Sequence, residues 1–133
     1  MSKGEDRIVD LLNGLGVKYV REKSFSDLKH GLYRYDFYLP DYDGGQAIIE
    51  FNGAQHYHFI SRFFKNRQEW LKAQAHDRQK ISYALANGIK IYIIPFWEIN
   101  KITDGRQLFQ EKYRATTRWK NDEDAKNSPM YQK

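Results

Sequence analysis

Twenty residues, 33–52, constrain this chain more than any others: YRYDFYLP, then DYDGG, then QAIIEFN. The first run alternates with the period of a strand. Tyr33, Tyr35, Phe37 and Leu39 are expected on one face, and Arg34, Asp36 and Tyr38 on the other. Pro40 ends the run, and DYDGG is a turn. QAIIEFN is then the returning arm of a hairpin. It sets Ile48, Glu50 and Asn52 on one face and Ala47, Ile49 and Phe51 on the other. Each arm carries one acid in an apolar setting. Asp36 and Glu50 share a face of neighbouring strands if the register permits.

The flanking segments supply the other layers. In KGEDRIVDLLNGLG, Ile8, Leu11, Leu12 and Leu15 recur at helical spacing, and Gly14 and Gly16 give a stop. Glu5 falls near the apolar face at the start of that helix. VKYVREKSF reads as a strand and DLKHG as a loop. FISRFFKNR has no clean period and reads as a basic, aromatic connection. A second helix is expected over residues 68–86, with Trp70, Ala73, Asp77, Ile81 and Ala84 as its inward stripe. Asp77 is an odd member of that stripe, and a buried ion pair with Arg34 is its structural explanation. Asn87-Gly88 stops the helix, and KIYIIPFWEI is the most apolar strand. The order helix, three strands, helix, strand predicts an α/β (α+β) fold, a central mixed sheet flanked by helices. Residues 1–99 are expected to form the domain. Residues 100–133 are expected to be a polar, basic C-terminal extension, helical at QLFQEKY and mobile at KNDEDAKNSP.

Composition narrows the function. The chain has 133 residues, the length of one domain. It has no cysteine, which excludes disulfide scaffolds and thiolate metal sites. No run reaches transmembrane length and the opening residues lack a signal-peptide core, so no membrane partner is expected. The net charge of +5 permits a polyanionic partner, and the basic excess is denser after residue 100. Arg62, Lys65, Arg67 and Lys72 interleave with Phe63, Phe64 and Trp70. The cations suit phosphate, Phe63 or Phe64 suits a wedge between bases, and Trp70 suits the core. A solvated basic face accounts for the same residues without nucleic acid. Arg114, Arg118, Trp119 and Lys120 offer a second contact.

Two carboxylates on adjacent strands repel, and a hard divalent cation removes that penalty. Mg2+ suits such a site because it keeps several waters and shares substrate phosphate oxygens. Hydrolysis of a phosphodiester is the reaction such an apparatus serves. His56 lies just beyond Glu50 in EFNGAQHYH, and imidazole is a side chain suited to moving protons. Two other readings stay open: a solvated sheet face for Asp36 and Glu50, and a zinc site using His56, His58 and Glu50.

Taken together, YRYDFYLP, AIIEFNGAQHY, a helix with HDRQK, and GIKIYIIPFWEI resemble the PD-(D/E)XK, or restriction-endonuclease-like, nuclease superfamily. The likeness covers about residues 3–99. It is nearest to the very-short-patch-repair endonuclease-like branch, described by an EDxHD pattern, as in small phage-encoded endonucleases. The resemblance implies a minimal restriction-endonuclease-like fold and a Mg2+-dependent DNA endonuclease, with Mn2+ able to substitute, in the cytoplasm of a bacterial or phage-infected cell. It implies Asp36 and Glu50 as metal ligands and His56 as the proton-transfer group. It further implies Asp77 as the residue orienting a histidine, Glu5 as a helper at the metal's water shell, and Gln55 as a lining residue. The departure is Asn52, where the superfamily often places lysine. His56 takes over that role, or Lys80 reaches in from the helix as well as touching phosphate, or the protein only binds DNA or a host protein without cutting. A homodimer or a protein partner is expected to help select the substrate.

Overall fold

The computed structural model describes residues 2–131. Helix α1 (Lys3–Leu15) leads into β1 (Val20–Ser24), β2 (Arg34–Tyr42) and β3 (Gly45–Asn52). Helix α2 (Arg67–Ala86) then crosses to β4 (Lys90–Pro95), and a short α3 (Lys120–Ala125) follows. The protein is α+β, with a four-stranded mixed sheet in the order β1-β2-β3-β4. The first three strands run antiparallel, and β4 lies parallel to β3. A parallel neighbour needs a long crossover, which α2 provides. The β2–β3 turn needs only Asp43 and Gly44, both at positive φ (52° and 82°), between the paired Tyr42 and Gly45. That two-residue turn matches the twist of the strands it joins.

The sheet buries both faces. Phe37, Leu39, Ala47, Ile49, Tyr92 and Ile94 pack on Ile8, Leu11 and Leu12 of α1. On the other side, Tyr35, Ile48, Ile91 and Ile93 pack on Ile81 and Ala84 of α2. The helical stripes expected from spacing therefore face the sheet. The β2 alternation does not hold throughout. Tyr35 joins the α2 side, while Phe37 and Leu39 join the α1 side. The slip falls at Asp36, where the β2–β3 pairing ends at Phe37 and Ile49 and the facing Glu22 of β1 has φ 54°. An irregular step of this kind re-aims side chains between the two faces.

Residues beyond 99 are part of the same body. Ile102, Leu108 and Tyr113 enter the α1-side core, and Ala115 enters the α2-side core. The Ala115 N–H donates to the Ile91 carbonyl at 2.9 Å, tying this segment to β4. QLFQEKY forms 3-10 turns rather than an α-helix. KNDEDAKNSP, expected to be mobile, instead contains α3, and its Asn121 and Ser128 are buried. Its order comes from specific hydrogen bonds to distant residues, which hydrophilic composition does not reveal. Among the described residues, no helix is long and apolar enough to cross a membrane.

One close approach seats α1. A Cβ added to Gly4 would collide with the Phe51 ring. Only a glycine lets the first turn of α1 rest on the β3 ring, and Glu5 follows directly. Gly4→Ala is therefore expected to destabilise by roughly 1–3 kcal/mol. Phe51→Leu in the same chain should recover part of that loss. Urea melts of the single and double variants measure the coupling; additive effects would show that the contact is not the cause.

Candidate active site

The site begins where β2 and β3 stop pairing as a ladder. One step beyond Phe37 and Ile49, Asp36 stands opposite Glu50. Here side chains replace backbone partners. The Asp36 N–H donates to Glu50 Oε1 at 2.6 Å, and the Phe51 N–H donates to Asp36 Oδ2 at 2.8 Å. Each acid thus caps an amide of the other strand, and both carboxylates are held in place. The Lys80 ammonium reaches in from α2 to Glu50 Oε2 at 2.8 Å. Glu5, Asp36, Glu50, Gln55, His56 and Lys80 line one cavity of about 350 Å³, with the half-exposed Phe63 on its wall.

Glu5 arrives through helix capping. The Ser2 hydroxyl accepts the Glu5 N–H at 3.1 Å, the first half of a capping box. Arg21 holds Glu5 Oε1 at 3.0 Å. Glu5, Glu22 and Asp36 bring ligand oxygens within 4.8 Å of one another. No local pattern marks Glu22, an edge-strand residue whose left-handed backbone accompanies its approach to Asp36. Four carboxylates, Glu5, Glu22, Asp36 and Glu50, here meet two cations, Arg21 and Lys80. When all are ionised, two negative charges are left over. Burial first, and then the Glu50 charge, push the Asp36 carboxyl up to about 8. Burial works against the Lys80 ammonium, but the Glu50, Asp36 and Asp77 charges outweigh it and hold its pKa above the ordinary value.

This donor set suits a hard divalent cation. It is all oxygen, it carries an excess of two negative charges, and Asp36 Oδ1 is left by the Phe51 bond for another partner. The crowded trio is Asp36 with Glu5 and Glu22, whereas both Glu50 oxygens already accept hydrogen bonds. The zinc grouping does not form. His56 turns to Asp77 and His58 to Ser128, at 2.8 and 2.7 Å.

Asp77 stands behind His56 rather than in the cavity. Its Oδ2 meets His56 Nδ1 and also accepts the Asn121 side-chain N–H at 3.2 Å. Asn121 Oδ1 in turn accepts the Asn52 amide at 2.9 Å. The explanation of Asp77 is thus His56 and not Arg34, which is exposed at the start of β2. Asn52 is tied to α3 instead of reaching toward substrate. The His56 loop is also clamped to α2: the Trp70 indole donates to the Gln55 carbonyl at 3.0 Å, and the Gln74 amide to the His56 carbonyl at 2.8 Å. Trp70, expected in the core, is only half-buried and serves this clamp. Gln74, Asn121 and Glu22 were missed by sequence reasoning. Arg62, Lys65, Arg67 and Lys72 are exposed around the α2 N-terminus, with Arg62 over Phe63 and Arg67 over Phe59. Lys80 lies apart from them, inside the cavity.

No protein-family model, curated protein or solved structure matches the chain.

Two outcomes follow from the geometry. Between pH 3.8 and about 8 the unfolded chain has lost the Asp36 proton and the folded chain keeps it. Stability from this group is complete at the acid end and falls as pH rises through that window. In EDTA, Asp36→Asn keeps the acceptor for Phe51 and should exceed wild type by roughly 1–3 kcal/mol at pH 8, with the gap closing toward pH 4. Denaturant melts across pH test this, and a gap that widens toward acid would refute it. Separately, Asn121→Leu should cost roughly 1–3 kcal/mol by stranding the Asn52 amide. In 15N spectra it should also erode the Nδ1-protonated tautomer of His56.

Proposed function

We propose that the protein is a metal-dependent DNA endonuclease of the PD-(D/E)XK type, hydrolysing phosphodiester bonds by nicking or structure-directed cleavage. The observation that carries this reading is the exchange of carboxylate for backbone between Asp36 and Glu50, with Lys80, Glu5 and His56 around the same cavity. Asp36 and Glu50 would hold Mg2+ or Mn2+, with Glu5 and Glu22 completing the acidic wall, and such an ion would supply charge neutralisation at phosphate and a lowered pKa for a nearby water. All other steps fall to the chain's own groups. Asp77 accepts the His56 Nδ1 proton, which leaves Nε2 as a base toward the cavity. Nε2 takes a proton from water or, once charged, returns it to the leaving oxygen. Lys80 supplies the positive charge that Asn52 lacks, for oxygens that gain charge in the transition state. Gln55 lines the cavity and orients the substrate. Arg62, Lys65, Arg67 and Lys72 neutralise flanking phosphates, and Phe63 wedges between bases. A second copy or a protein partner adds the substrate choice that so small a surface lacks.

One observation favours a second reading, a silent nuclease fold that binds DNA or a host protein. Both Glu50 oxygens are already engaged by the Asp36 N–H and Lys80. The discriminating experiment incubates wild type, Asp36→Ala, His56→Ala and Lys80→Met with linear, nicked and branched DNA in Mg2+, Mn2+ or EDTA. Cleavage by wild type should vanish in EDTA and in Asp36→Ala. His56→Ala should fall by roughly 10²–10⁴-fold, and Lys80→Met by about 10²–10³-fold. Cleavage that survives in Asp36→Ala sinks the ligand assignment. Metal-independent binding with no cleavage by wild type favours the silent fold.

A further inference from the structure

Helix α2 has a second working face. Asp77 and Lys80 serve the cavity and its histidine, while Ala75, Arg78, Gln79 and Ser82 line a separate groove of about 690 Å³. The loop at Asp27–Lys29 forms its opposite wall, and Arg118 and Trp119 close it just before α3. Trp119 is 43% exposed. The Arg118 and Arg78 guanidiniums lie 4.5 and 4.8 Å from its ring centroid. Arg78 gives Nε and Nη2 to Asp122 at 3.3 and 3.1 Å, whereas Arg118, held against the indole, keeps its N–H edges available, and less of its freedom is lost when they engage a phosphate. Three cations, Lys29, Arg78 and Arg118, stand against Asp27 on the wall and Asp122 at the end, an excess of one positive charge. Asp122 pairs with Arg78 but is exposed, and Asp27 accepts the Tyr83 hydroxyl. Arg118 and Lys29 have no ion pair among the described residues.

We infer that this groove binds the phosphodiester backbone of nucleic acid, as a second contact track on the same substrate strand. The inference rests on the nuclease reading only for the identity of that substrate. The two sites have no lining residue in common but are joined through α2 and the start of α3. Arg78 adjoins Asp77 in α2, and Trp119 lies two residues before Asn121, which holds Asp77. An acidic peptide would satisfy the charges, but the exposed Trp119 ring among the cations adds an apolar face for sugar and base that acidic side chains do not use.

The test is anisotropy of a labelled 20-mer duplex and of the same duplex with a single-stranded tail, using the full chain in EDTA over a salt series. EDTA separates binding from cleavage. Arg118→Gln and Lys29→Gln should each lower the salt slope by about 0.9 on duplex and weaken low-salt binding several-fold. Trp119→Leu removes the platform without removing charge, so it should weaken binding with the slope nearly unchanged. Lys101→Gln, which is exposed and outside the groove, should change neither by as much. Slopes and affinities equal to wild type in all three groove variants overturn the inference, as does a wild type that binds neither labelled DNA at low salt. Reduced slopes in a wild type that never cleaves would keep the groove and remove the nuclease reading. Cleavage with unmoved slopes would do the reverse.

Discussion

Everything in the site depends on two carboxylates doing the work of a missing stretch of β-ladder. Where β2 and β3 part, two backbone amides lose their ladder partners. A buried amide without an acceptor is costly, and here Glu50 and Asp36 provide the acceptors across the gap. The arrangement stabilises the opening and at the same time places two acids side by side in a largely buried setting. The strand irregularity and the electrostatic tension are therefore one feature. Burial and the Glu50 charge oppose ionisation of Asp36, and Lys80 and the Phe51 amide favour it only in part.

That tension explains the elements around it. Lys80 comes from α2, Arg21 from β1, and both approach acids. The left-handed backbone at Glu22 adds a further carboxylate where repulsion would be expected to exclude one. A strained residue held against like charge persists where its surroundings over-determine it, and such positions concentrate at functional sites. The close packing of Gly4 on Phe51 is the mechanical counterpart, because it seats the helix that carries Glu5.

The C-terminal segment has a larger part than its composition implies. It fills core on both faces of the sheet and then returns as α3, where Asn121 bridges Asn52 and Asp77. Asn52 occupies the place where the resembled superfamily often has lysine. Its amide instead fixes a helix that fixes Asp77, and so His56. The hydrogen-bonded chain thus runs from Asn52 through Asn121 and Asp77 to His56.

The elements were legible in the amino-acid order because they are set by short-range rules. Period 2 in YRYDFYLP, period 3.6 in IVDLLNGL, and Asp-Gly at the turn act within a few residues. That Asp36 and Glu50 belong to one hairpin was legible for the same reason, but their register was not, because β2 runs on through Pro40 to Tyr42 and the turn is only Asp43-Gly44. Glu22, Gln74, Asn121 and the Lys80–Glu50 pair were not. Each depends on a backbone twist or on contacts across dozens of residues, and no local pattern records them. The chain alone thus determined the helices and strands up to residue 95 and which acids share a hairpin, but not the 3-10 turns and α3 that follow. Only tertiary packing decided which cations reach those acids, because a charge finds its partner through space and not along the sequence.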